Sequence, residues 1–107
     1  MALPTFASQN PVTVTNSDGS VGVTYNDWYC PHCTIGINMV GQTVNLSAIF
    51  IRCFVDSNGN INPAPAGVSP SVFVHNSDVM SDSVLGPTAT TFFQSWVTEL
   101  MTAGTLT

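Results

Sequence analysis

The chain has 107 residues, 44% of them hydrophobic and only 7% charged, and six acids against a single arginine give a formal charge of -5. That length and apolar content suit one domain, 1–107, with a core of its own, and three cysteines are too few for a disulfide scaffold. Without a lysine no phosphate-tracking surface can be assembled, which excludes nucleic acid as a partner.

The longest apolar run, Ala48 to Ile51, is far short of the roughly 20 residues a membrane span needs, so no membrane contact is expected. The amino-terminal stretch lacks a basic start and a greasy middle, so no export signal is visible. The expected compartment is the cytoplasm, with a periplasmic or extracellular one left open.

Val12 to Thr15 alternates, Asn16-Ser17-Asp18-Gly19 reads as a turn, and Val21, Val23 and Tyr25 alternate again, predicting strand, turn, strand. The second strand runs into Trp28-Tyr29-Cys30-Pro31-His32-Cys33. From Thr34 to Asn45 the residues Ile37, Val40 and Val44 fall three and four apart, which predicts a helix, weakened by Gly36, Gly41 and β-branched neighbours. Ala48 to Val55 has the continuous apolar character of a strand covered on both faces in a parallel sheet. Asp56-Ser57-Asn58-Gly59-Asn60 then turns the chain.

Pro70 precedes a short strand, Ser71 to His75, and Asn76-Ser77-Asp78 predicts a hairpin returning through Val79 to Leu85. Gly86-Pro87 breaks it. Phe92, Phe93, Trp96, Val97, Leu100 and Met101 share one stripe of a final helix, with Thr88 as its expected N-cap and Gly104 as its C′ residue. The order predicts a mixed sheet covered by helices.

In that order the chain resembles a thioredoxin. Val21-Gly22-Val23-Thr24-Tyr25 leading into Trp28-Tyr29-Cys30-Pro31-His32-Cys33 is similar to the family's strand and active-site motif. Pro70, in Val68-Ser69-Pro70-Ser71-Val72, stands where the family carries a cis proline, and Arg52 stands where thioredoxins commonly have a lysine. The resemblance spans about residues 20 to 103 and leaves 1–19 as a divergent segment; Thr24 replaces the family's buried acid. It implies an α/β thioredoxin-like fold with a central mixed β-sheet flanked by helices. It also implies a thiol-disulfide oxidoreductase, an enzyme without cofactor or metal, acting as a monomer on protein disulfide or dithiol substrates with a redox partner such as a reductase.

In this reading Cys30 is the nucleophile, ionised at a helix N-terminus, where unpaired N–H groups lower a thiol pKa. Pro31 suits the first helical position, and His32 favours the thiolate, making the disulfide more oxidising than in ordinary thioredoxin. Cys33 is the resolving thiol. Trp28 and Tyr29 form an apolar rim, and the resemblance gives Ser69 and Pro70 the role of binding an extended substrate.

Other readings stand beside it. Cys30, Cys33, Cys53 and His32 or His75 supply enough ligands for a zinc site, although Cys53 reads as a small core residue and His75 as a surface one. Arg52 reads as a partly buried cation with its head at the surface or on a carboxylate. Asn45-Leu46-Ser47 fits a glycosylation sequon. The very low charge and the Thr/Ser/Asn-rich composition suggest a non-catalytic structural or assembly module, in a virion or outside the cell, on a thioredoxin-like scaffold.

Overall fold

The computed structural model describes residues 4–107. It contains five strands, β1 (Thr5–Thr15), β2 (Val21–Asn38), β3 (Thr43–Val55), β4 (Ile61–Pro63) and β5 (Val72–Asp78), followed by one helix, α1 (Leu85–Thr102). The strands form one sheet in the order β1-β2-β3-β4, with β5 also paired to β3. β1 pairs antiparallel with β2, and β3 with β4. Arg52 N–H donates to Ser71 O at 2.8 Å and Val79 N–H to Val44 O at 2.8 Å, an opposed order that makes β3 and β5 antiparallel too.

This overturns the expected α/β thioredoxin-like fold: the sheet is mainly antiparallel and, among the described residues, only the carboxy-terminal segment is helical. The largest correction falls on Thr34 to Asn45. Instead of a helix, the chain extends β2 to Asn38, turns at Met39–Gln42 and enters β3. Ile35 and Ile37 obey a period of two as well as Ile37, Val40 and Val44 obey three and four, and the β-branched side chains favour the extended form. The turn is closed by Gly41 N–H donating to Asn38 Oδ1 at 2.8 Å, and Gln42 adopts a positive φ of 54°.

The hairpin expected at Asn76 is absent as well. Asp78 Oδ1 accepts Val44 N–H at 3.1 Å and Met80 N–H at 3.0 Å, ending β5. Asp82 Oδ1 then accepts Val84 N–H at 2.9 Å and Leu85 N–H at 2.8 Å. The chain enters the helix four residues before Thr88, with Val84 at the N-cap and Asp82 supplying the side-chain acceptor. Gly86, the breaker expected from sequence, lies in the first helical turn, where an added Cβ would collide with Met80 O. The strand-turn-strand at the amino end, the turn at Asp56 and Gly104 after the helix, with φ 76°, agree with the sequence.

Two compact units divide the chain. The first comprises Met1–Cys33 and Ala48–His75, the second Thr34–Ser47 and Asn76–Thr107. In the first unit Tyr25, Cys53 and Val68 are buried together with Arg52. Tyr25 meets Phe54 edge-on at 5.6 Å, and Phe50 packs near Phe6 and Phe73 at 6.5 and 6.2 Å. In the second unit Val44 is the buried side chain of the core, 1% exposed. On the helix Ala89, Thr90, Phe93, Val97 and Leu100 are half-buried, while Phe92 and Trp96 remain exposed. The stripe expected to bury Phe92, Phe93, Trp96 and Leu100 is wider than this chain covers.

Candidate functional site

The motif residues Trp28 to Cys33 all lie inside β2, so Cys30 has no helix N-terminus beside it. A strand rises about 3.3 Å per residue and alternates its faces, which sets residues three apart at roughly 10 Å on opposite sides. A disulfide needs Cα atoms about 4.4–6.8 Å apart. Cys30 and Cys33 accordingly form no close pair and both thiols are free. Cys30 is half-buried and its Sγ donates to His32 O at 3.2 Å, while Pro31, His32 and Cys33 are exposed. The two properties that made the motif a redox centre, a helix dipole and adjacent sulfurs, came from the fold now corrected.

Ser69 and Pro70 are exposed and joined by a cis peptide just before β5, as the resemblance implied. The partner of Pro70, however, is Arg52, whose Nε donates to Pro70 O at 2.7 Å. Tyr29 is half-buried opposite Thr5. Trp28, expected as a rim beside a thiol, lies under the Arg52 guanidinium, 4.4 Å from ring centroid to Cζ.

Arg52 is therefore the centre of the polar arrangement, and the sequence reading understated it. The residue is 2% exposed rather than carrying its head at the surface, and no carboxylate of the described residues is among its partners. Its Nη1 donates to Ser8 Oγ at 3.1 Å, Asn10 O at 3.0 Å and Tyr25 O at 3.4 Å. The local sequence of β1 explains those acceptors. Between Ala7, opposite Asp27, and Val12, opposite Tyr25, the register with β2 shifts across Ser8-Gln9-Asn10-Pro11. Pro11 has no N–H for the ladder, so this is where a bulge is tolerated, and Asn10 O turns to the guanidinium instead.

Next to Arg52 in sequence, Cys53 is wholly buried, and burial pushes its thiol pKa up, the nearby charge of Asp27 adding to the effect. It is the small core residue the sequence predicts. His75 is exposed on β5 and stacks on Phe73 at 5.9 Å. Among the described residues no three His, Cys, Asp or Glu side chains gather as a metal site, so the zinc arrangement finds no ligand set.

Two concavities accompany these residues. In the first unit a cleft of about 590 Å³ is lined by the β1 bulge, Trp28, Arg52 and Pro70. In the second, an apolar groove of about 250 Å³ lies among Ile35, Val44, Leu46, Leu85 and Phe92. The sequence signal for the groove was the apolar stripe of α1, whose periodicity reads Phe92, Phe93, Trp96 and Leu100 as facing the core. Comparison with family models, with curated proteins and with solved structures gives no match. The thioredoxin resemblance thus gains no support.

Proposed function

We propose that this chain is a structural subunit that assembles with further copies of itself. The observation that carries the reading is apolar side chain left uncovered within each unit.

Phe92 and Trp96 on α1 are 72% and 52% exposed, and Val72, Phe73 and Val74 stand exposed in succession on β5. Consecutive apolar residues exposed along a strand are what monomers avoid, because such a strand recruits another. Thiol exchange through Cys30 and Cys33 is not adopted, because a strand separates sulfurs that the reaction must bring together.

Light scattering after size exclusion tests the reading. A mass of two or more chains at micromolar concentration is expected, and Phe92→Ser with Trp96→Ser should lower it while circular dichroism stays native. A single-chain mass maintained at concentrations near 100 µM, on the order of ten times the Kd of a 10 µM association, overturns it.

A further inference from the structure

We infer that the cleft beside Arg52 binds one carboxylate group. Arg52 is the only arginine in a chain without lysine, and it is almost completely buried. A guanidinium stays ionised, and a buried charge requires a counter-charge or suffers a large desolvation cost. Its partners at Nε and Nη1 are three carbonyls and a hydroxyl, all neutral. They satisfy donors but supply no negative charge.

The remaining nitrogen, Nη2, has no partner among the described residues, yet no buried side-chain nitrogen is left unsatisfied, so Nη2 is reached by solvent. Arg52 lines the cleft, which is large enough for several waters or a small ligand, and no acidic residue lines it. Trp28 covers a face of the guanidinium, which directs an approaching oxygen toward the in-plane N–H groups of Nη2.

The ligand class follows from the donors that remain. Nε and Nη1 are already engaged, so the two-nitrogen fork that grips carboxylate and phosphate alike is unavailable, and no second cation is there to balance a doubly charged phosphate. One carboxylate oxygen on Nη2 fits that supply. It has two sources, a free small carboxylate or an acidic side chain of a second copy. The inference does not depend on self-assembly, because only the second source needs it.

A lone arginine makes the test direct. In the full-length chain labelled with nitrogen-15, one Arg Nε–H resonance exists, and it is followed while sodium acetate replaces sodium chloride at constant ionic strength. A saturable shift is expected, with a weaker response to inorganic phosphate. Ser8→Asp places a carboxylate where Ser8 Oγ now lies 3.1 Å from Nη1, and it should abolish the acetate shift. Gln9→Glu, on the cleft wall, serves if Ser8→Asp fails to fold. A resonance that moves on dilution of the protein and is restored by acetate identifies a neighbour's acid as the source; independence of protein concentration identifies a free carboxylate. The inference is overturned by an unmoved resonance, by an equal response to chloride, by tighter binding of phosphate than acetate, or by an acetate shift that survives in the folded variant.

Discussion

The two units close their cores differently. In Met1–Cys33 with Ala48–His75, Tyr25, Cys53 and Val68 are buried and a cation is buried with them, held by carbonyls from β1, β2 and the segment before β5. In Thr34–Ser47 with Asn76–Thr107, Val44 alone among the large apolar residues is buried, while the helix leaves Phe92, Trp96 and Met101 exposed. The first unit spends its specificity on a satisfied polar centre. Both leave apolar side chain uncovered, Val72, Phe73 and Val74 in the first and Phe92 and Trp96 in the second, but the second has no polar centre and buries only Val44 beneath its exposed stripe.

Substitution at the polar centre should break the first unit most. Arg52→Met strands the oxygens of Pro70, Asn10 and Tyr25 that now accept its hydrogens, and a loss of about 3 kcal/mol is expected in urea unfolding. Next, Val44→Ala should cost about 2 kcal/mol, because a fully buried side chain loses its contacts and leaves a void. Phe92→Ala, on the same groove but exposed, should change monomer stability by less than about 0.5 kcal/mol and act on association instead. Equal losses at Val44 and Phe92 would erase the contrast between covered and uncovered residues of the second unit.

Acid should reveal a smaller effect common to both units. Backbone N–H groups of Leu85 and Val84 hold the Asp82 carboxyl below its usual range, and those of Asn60, with the Asn62 amide, do the same for Asp56. A depressed native pKa contributes stability that is complete above the unfolded value of about 3.9 and disappears as pH falls through the native values. Thermal unfolding followed downward from pH 5 should therefore show a falling midpoint, less steep in Asp82→Asn, whose amide oxygen still accepts. Smallest of all, Cys33→Ser should leave stability unchanged. In native protein a thiol reagent should label Cys33 before Cys30, and Cys53 only on unfolding, since it is buried and its thiolate is disfavoured.

Several local features were legible in the residues. The Asn16–Gly19 turn, the strand at Ala48–Val55, the Asp56 turn, the burial of Cys53 and the glycine after the last helix follow from patterns of eight residues or fewer. The Thr34–Asn45 segment was not legible, because its apolar residues satisfy both helical and strand spacing, and only pairing within the sheet chooses between them. The Cys30–Cys33 pair misled for the same reason. Its chemistry depends on the backbone between the sulfurs, and four residues do not state whether that backbone is coiled or extended.

By itself the sequence determined what the chain is made of and where it turns: a near absence of cations, strong turns at Asn16–Gly19 and Asp56–Asn60, and an amphipathic helix near the carboxy end. These follow from composition and nearest-neighbour sterics, which act within a few residues. Only the tertiary structure decided that Arg52 is buried among neutral oxygens and that the apolar stripe of α1 exceeds its cover. Burial is a property of distant segments brought together, and Ser8, Tyr25 and Pro70 meet Arg52 across 44, 27 and 18 positions of chain.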